Sequence, residues 1–343
     1  MSDLPPATGS QYQPIRVLYV MPGRPQGHNM VFARDAAQAL RASGVELEEF
    51  YLRSRTAPLQ VLRAAFQLRR DIRRSGPDIV HAQYGGVTGL VTALAVGRCP
   101  LVLSVRGSDL NRVPSLHPVR GWLTRLMTQL AALRARRVVC VSSALAEQLW
   151  VAGRAIVIPS GVDTAVFRSG DREAARRNLG WTAGQSMVLF NAGQAPQQKG
   201  LSLVEQAIQH LQSNGLQVKL HIVSGGLTRP EMAVLMAAAD CLVLASQTEG
   251  SPNVVKEAMA CNLPVVSVCV GDVEQRLAEV RPSAIVERRA DAIADGVAAV
   301  LRQGGRSNGR VALLRQGLSI NDTTAALHGV YVDLARAHAA QLQ

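Results

Sequence analysis

The residues best equipped for chemistry lie in one stretch, Glu249-Gly250-Ser251-Pro252-Asn253-Val254-Val255-Lys256-Glu257. Ser251 is placed as a helix N-cap, and Pro252 fits the first helical position, where its missing N–H costs nothing. The free amides of that first turn then face the carboxyl end of the apolar strand before it, a ready anion site. Glu249 precedes the helix and Glu257 lies inside it, so two carboxylates reach one ligand from different ends. Amides for an anion beside two carboxylates suit a ligand carrying both phosphate and hydroxyls, such as a nucleotide sugar. Lysine is scarce: Lys199, Lys219 and Lys256 stand against 34 arginines. Each is a weak pointer to a place where arginine would not serve.

Such residues need strands and helices to hold them. Apolar, β-branched runs at Ile15–Met21, Val45–Tyr51, Ile79–Gln83, Leu101–Val105, Val138–Ser142 and Ala155–Ile158 read as strands. Helical patterns at Met30–Ser43, Leu59–Arg74, Val87–Val96, Gly121–Ala135 and Ala144–Val151 separate them. Near-continuous apolar strands are those of parallel sheets covered on both faces, and strand–helix alternation implies a doubly wound sheet. Pro159 to Gly184 breaks the rhythm and reads as an interdomain connection. A second series follows, with strands at Met187–Asn191, Val218–Val223, Cys241–Ala245 and Pro264–Val268. Its helices are Leu201–Ser213, Pro230–Ala239, Pro252–Ala260 and Asp291–Leu301, and Asp322–His338 forms a last amphipathic helix. The expected fold is α/β, two Rossmann-like domains facing a cleft where the carboxyl ends of two sheets meet. The first spans 1–165 and the second 166–321, with the final helix (322–343) packing back on the first.

Composition narrows the class. At 343 residues, 48% apolar and 18% charged, the chain is globular and long enough for two cores. No apolar run reaches the ~20 residues of a spanning helix, and the first 13 residues lack the basic flank and apolar core of a signal peptide. Five scattered cysteines (Cys99, Cys140, Cys241, Cys261, Cys269) show no metal spacing and read as buried free thiols of a cytoplasmic protein. The net charge of +12 is lopsided: residues 1–165 hold 20 of the 37 basic residues and 10 of the 25 acidic ones. That basic half favours an anionic partner such as phospholipid or pyrophosphate. At 4% aromatic and without a DNA- or RNA-binding motif, the chain is not read as a nucleic-acid binder.

The segment TEGSPNVVKEAMACNLPVVS, with its Glu-x7-Glu, resembles the donor-site signature of the retaining GT-B glycosyltransferases of family GT4. DIVHAQYG (Asp78–Gly85), SVRGSDL (Ser104–Leu110), VVCVSSALAEQL (Val138–Leu149), IPSGVDTAVF (Ile158–Phe167) and QQKG (Gln197–Gly200) have counterparts there in the same order. Within the family the likeness is to bacterial surface-polysaccharide transferases of the teichuronic-acid type. The resemblance implies that Glu257 binds the donor ribose and Glu249 sits at the transferred sugar. Amides of Gly250, Ser251, Asn253 and Val254, with Pro252 shaping the turn, would contact sugar and phosphate. Lys199 matches the lysine that neutralises the leaving pyrophosphate, a role suited to a flexible point charge.

Three departures qualify that transfer. Gln194 follows Gly193 where the family usually carries a second cation, leaving Arg229 or an N-terminal arginine to substitute. Arg106 replaces a histidine that often faces the donor sugar; it either contacts a phosphate or a carboxylated sugar, or pairs with Asp109. The segment from Ser224 to Pro230 is short where many members read the base. Elsewhere, the loop Gly23 to Asn29 fits close approach to phosphate, with Gly27 as a substrate-binding candidate and His28 as a loop histidine of catalytic look. It is not a dinucleotide fingerprint. The helix Leu59–Arg74 sets Leu59, Leu62, Ala65, Phe66 and Leu68 toward one side and masses Arg63, Arg69, Arg70, Arg73 and Arg74 near its end. It reads either as a membrane-facing amphipathic helix or as a sheet cover with a dipole-complementing end.

The expected function is a retaining glycosyltransferase moving a sugar from a nucleotide diphosphate sugar to a saccharide acceptor, lipid-pyrophosphate-linked, in surface polysaccharide assembly. Lys199, Glu249 and Arg106 are its catalytic candidates. No cofactor and no metal are expected, and the protein is expected to be cytoplasmic, peripheral on the inner face of the membrane. The alternatives are a non-catalytic GT-B binding partner, and a nucleotide-sugar epimerase or hydrolase on the same architecture.

Overall fold

The structure, a computed structural model, describes residues 14–25, 30–114, 116–182 and 184–342. Gly27 and His28 lie outside the described residues. The first half runs β1 (Arg16–Pro22), α1 (Val31–Ala42), β2 (Glu46–Leu52), α2 (Pro58–Ser75), β3 (Ile79–Ala82), α3 (Gly86–Ala95), β4 (Leu101–Val105), α4 (Pro118–Arg134), β5 (Arg137–Cys140), α5 (Ser143–Glu147) and β6 (Ala155–Val157). After a connecting α6 (Arg172–Leu179) come β7 (Ser186–Asn191), α7 (Pro196–Lys199), α8 (Leu201–Ser213), β8 (Val218–Val223), α9 (Arg229–Ala238), β9 (Cys241–Leu244) and α10 (Asn253–Ala260). The chain ends with β10 (Val265–Val268), α11 (Val273–Leu277), β11 (Ala284–Val286), α12 (Ala290–Gln303), α13 (Gly309–Arg315) and α14 (Ile320–Leu342).

Two parallel sheets result, ordered β2-β1-β3-β4-β5-β6 and β11-β10-β9-β7-β8. Their inner strands are buried almost throughout, as parallel strands covered on both faces must be, while the edge strands β2, β6, β8 and β11 are only partly so. Each sheet reverses direction of growth once, between β1 and β3 and between β7 and β9. Ligands of open α/β sheets bind outside the carboxyl ends of strands at such switch points.

The chain's return path stitches the two halves together. Residues leaving β6 pair with the segment entering α14, through Val162 and Ile320 amides and a bridge between Val162 and Ser319. Helix α14 then lies on the first sheet, burying Leu327, Val330 and Tyr331 among Val17, Tyr19 and Met21. Each such side chain is worth roughly 1.5–3 kcal/mol when fully buried. The Tyr331 hydroxyl lies 2.6 Å from His81 Nδ1 and donates to the Tyr19 hydroxyl at 3.1 Å, while Ser104 Oγ holds the other imidazole nitrogen at 2.8 Å. Burial holds His81 well below the usual histidine range, so it is neutral at pH 7.

Several local expectations shift. Ala144–Val151 is not one helix: α5 stops at Glu147 and a short 3₁₀ turn covers Ala152–Arg154. On α2 the apolar residues do not share a side: Leu68 and Ile72 are buried, whereas Leu59, Leu62 and Phe66 face outward, Phe66 at 67% exposure. Of the cysteines, Cys140, Cys241 and Cys261 are buried free thiols, but Cys99 is half-buried and Cys269 is exposed. Among the described residues, no helix is long and apolar enough to cross a membrane.

Candidate functional site

The second sheet's switch point gathers the strongest candidates. The turn after β7 leads through Gly193 and the exposed Gln194 into the single turn α7, which ends at Lys199. The loop after β9 carries Glu249 to α10. These loops are locked together: Gln247 N–H donates to the Gln198 carbonyl at 3.0 Å. Gly200, at φ +82°, sits so close to Ala245 that a Cβ there would overlap its carbonyl oxygen. The closure brings Lys199 Nζ directly onto Glu249 Oε1, an ion pair across fifty positions of sequence. Ser246 Oγ donates to the same Oε1 at 2.8 Å, so this carboxylate is held from two sides.

At the mouth of α10 the capping differs from expectation. Pro252, not Ser251, is the N-cap, and the helix begins at Asn253. Pro252 has ψ 117°, an extended value, so the chain turns helical one residue later than the Ser–Pro pair suggests. Ser251 makes no capping bond, and its buried hydroxyl has no protein partner. Such an orphan is costly unless a ligand completes it. Gly250 is pressed against the first domain: a Cβ there would overlap the Arg106 carbonyl and crowd Gly107 Cα. Asn111 Nδ2 donates to the Glu249 carbonyl at 2.9 Å across the same boundary.

Glu257, a turn into α10, is half-buried. Burial pushes its carboxyl above the usual range, Arg229 and Lys256 pull it back, and Asp35 adds to the rise. Arg229, at the start of α9, reaches over the cleft to Asp35 of α1, with Nη1 3.1 Å from Oδ2, while its guanidinium stacks on Phe167. This is an ion contact rather than an aligned hydrogen bond, since Asp35 Oδ2 has no hydrogen-bond donor.

Arg106 does not pair with Asp109. That carboxylate is fully used by backbone amides of Arg106 and Gly107 after β4 and of Gly85 before α3. The Arg106 guanidinium instead donates to Gln83 Oε1 at 2.7 Å and Ser160 Oγ at 3.0 Å, and lies 4.7 Å over the Phe32 ring.

Sequence reasoning passed over Asp35 and Asn111, and for Lys256 gave only the weak pointer of its rarity. Lys256 is 1% exposed, its Nζ donating to the Ser160 carbonyl at 2.8 Å, and burial pulls it down to about 7. Its neighbours one turn away, Pro252, Met259 and Ala260, are apolar, which marked its face as interior. Among the described residues, no group of three or more His, Cys, Asp or Glu is placed to hold a metal ion.

In the first domain a cavity of about 420 Å³ opens between the starts of α2, α3 and α4. Arg55, Tyr84, Leu116, Arg120, Leu123 and Met127 line it, with Gln198 reaching in from the second domain.

Known proteins share this arrangement. The Glycosyltransferase Family 4 model matches residues 24–166 and the Glycosyl transferases group 1 model matches 186–303. TuaC of Bacillus subtilis, named as a teichuronic acid biosynthesis glycosyltransferase, is 28% identical over 242 residues, 64% of this chain and 60% of that protein. The match thus spans about three fifths of that relative's length. Sucrose-phosphate synthase of Thermosynechococcus elongatus superposes with TM-score 0.77 at 16% identity, over 94% of this chain and 100% of that one. Anabaena HepE, solved with UDP-glucose, superposes with TM-score 0.62 at 19% identity, over 96% and 99%. With one family model on each sheet domain and a GT-B arrangement of the two, the chain belongs to the family 4, group 1 glycosyltransferases.

Proposed function

We propose that this protein is a retaining glycosyltransferase that moves a sugar from a nucleotide diphosphate donor to a lipid-linked saccharide acceptor in surface polysaccharide assembly. The observation that carries the reading is the Lys199–Glu249 pair at the mouth of α10, beside the unpartnered Ser251 hydroxyl. In it the donor lies along the second domain, with ribose hydroxyls on Glu257 and pyrophosphate at the opening turn of α10. Lys199 exchanges Glu249 for a phosphate oxygen, and Glu249 turns to the sugar. The acceptor hydroxyl attacks the anomeric carbon from the leaving-group face. The new C–O bond forms as the bond to phosphate breaks, and the acceptor proton passes to a β-phosphate oxygen. Lys199 and the helix amides stabilise the charge that develops there. Arg229, near Glu257 but held by Asp35, supplies the second cation that Gln194 does not.

The acceptor enters the cavity between α2 and α4, whose arginines suit phosphate and whose Leu116, Leu123 and Met127 suit an apolar chain. A peripheral membrane position is part of this reading: Leu59, Leu62 and Phe66 of α2 and Val119 and Trp122 of α4 are exposed, and the same helices also expose Arg63, Arg69, Arg70 and Arg120. No metal takes part in this reading. Purified protein, given a panel of nucleotide sugars and lipid-linked saccharides with and without EDTA, tests it. Product with the α- or β-configuration of the donor retained, at equal rates with chelator, is expected. Inversion, or free sugar released without acceptor, contradicts it.

A further inference from the structure

Lys256 is a buried cation that the site described above does not use. It neighbours Glu257 on α10, yet Glu257 is half-buried and Lys256 is 1% exposed. Burial pulls its pKa down to about 7; Asp272 and Glu257 favour the charged form, and Arg276 and Arg106 oppose it. Asp272 Oδ2 already accepts from Arg276 Nε at 2.8 Å. Among the described residues no carboxylate forms an ion pair with Lys256; its Nζ donates to the Ser160 carbonyl at 2.8 Å. A lone buried charge is costly. An apolar side chain of the same length would fill the position without that cost, so the bond itself needs a use.

Ser160 shows the use. It lies in the connection that leaves β6, and its hydroxyl accepts from Arg106 Nη1 at 3.0 Å. Arg106 of the first domain and α10 of the second therefore grip one residue from two sides. At Gly161 a Cβ would overlap Thr323 Oγ1 and press on Ile320 Cα, and Val162 bridges Ser319. The chain's outgoing and returning passages between the domains thus cross beside Ser160. Helix α10 is tied to the first domain again at its mouth, where Gly250 abuts the Arg106 carbonyl and Asn111 Nδ2 holds the Glu249 carbonyl at 2.9 Å. A turn at the crossing would shift that mouth, and Glu249 with it, against the first sheet.

We propose that Lys256 is a positioning residue for glycosyl transfer: its bond to Ser160 sets the domain angle at which Lys199 and Glu249 meet the acceptor side, and it plays no part in holding the nucleotide. Its effect on transfer rests on the function proposed above; its hold on the connection does not. Small-angle X-ray scattering of the full chain, from about pH 6 to about pH 8.5, follows the domain angle in wild type, Lys256→Met and Lys256→Gln. Lysine holds the carbonyl most strongly when charged, so wild type opens as pH rises through about 7. Lys256→Met is open throughout and shows no such change. Lys256→Gln, which keeps an N–H donor without a charge, lies between them, also without the pH step. Calorimetry and melting separate positioning from support. Lys256→Met binds the best of UDP, GDP, ADP and CDP as wild type does and melts no lower, since a buried charge has gone. Its single-turnover transfer rate falls about tenfold to a hundredfold, as a small misplacement far from the chemistry can cause, and Lys256→Gln recovers part of it. Scattering identical to wild type in Lys256→Met overturns the proposal, and so does a pH step that survives the substitution. Nucleotide affinity and melting temperature falling together overturn it in favour of a structural role. Should Lys256→Met not fold, the pH step in wild type and its absence in Lys256→Gln carry the test, and a flat wild-type profile overturns the proposal. If no nucleotide binds wild type, the donor reading falls, while scattering still decides the hold on Ser160.

Discussion

The carboxyl ends of the two sheets handle charge in opposite ways. At the second sheet, Lys199 is paired with Glu249, and Arg229 reaches Asp35. At the first, the Arg106 guanidinium hydrogen-bonds only neutral partners, and farther along α2, toward the opposite end of that sheet, Arg69, Arg70 and Arg73 stand in solvent. The paired half can hold its geometry before a ligand arrives, with phosphate oxygens replacing carboxylates one for one. The unpaired half keeps cations free for anions brought from outside. On this account one half is preorganised for the leaving group and the other for recognition.

Breaking the paired half produces the largest effect. Lys199→Ala lowers turnover by ~10²–10³, the usual cost of removing one preorganised donor to a developing anion. Donor affinity changes much less, because the charge counts most as the pyrophosphate leaves. Single-turnover rates beside donor titrations check the split. Breaking the unpaired half moves membrane binding instead. Each surface arginine is worth ~1 kcal/mol near anionic lipid, so with half of Arg69, Arg70, Arg73 and Arg74 engaged, replacing all four by Gln lowers partition about thirtyfold. Sedimentation with vesicles containing acidic phospholipid measures this, and raised salt should release the wild type. Donor affinity stays put, since α2 belongs to the other sheet. The smallest effect comes from Asp35→Asn, which frees Arg229 at a partly exposed contact worth at most ~1 kcal/mol. Nucleoside diphosphate then binds up to a fewfold more tightly, and unchanged affinity would show that Arg229 does not reach the phosphates.

The strands were legible because burial on both faces writes continuous apolar runs. Leu101–Val105, buried at every position, is found at the expected residues. Some short elements were not legible. The four-residue α7 and three-residue β11 are too brief for a period to register, and tertiary contacts hold them. The outward turn of Leu59, Leu62 and Phe66 was hidden for a different reason. A helix whose apolar residues extend well past one stripe does not say which arc the sheet covers. Motif residues within one stretch, Glu249 to Glu257, could be read together. Asp35 and Arg229 could not be paired from sequence, because only the packing of the two domains joins α1 to α9. Lys256 stood out by the rarity of lysine, but the Ser160 carbonyl it bonds lies 96 residues away and is joined to it only by tertiary packing.

The most direct test of the preorganised second domain is nucleoside diphosphate binding by wild type and Glu257→Gln. A ligand at ~100 times its dissociation constant adds about 2.7 kcal/mol of stability, visible as a rise in melting temperature. A carboxylate accepting ribose hydroxyls makes charge-assisted bonds that an amide cannot match. Because burial raises the Glu257 carboxyl above the usual range, wild-type affinity should also weaken as pH falls toward it. The account predicts that one of UDP, GDP, ADP or CDP stabilises the wild type. Glu257→Gln then reduces that affinity about tenfold and flattens its acid-side decline. Full stabilisation of the Glu257→Gln variant by the same nucleotide would contradict it.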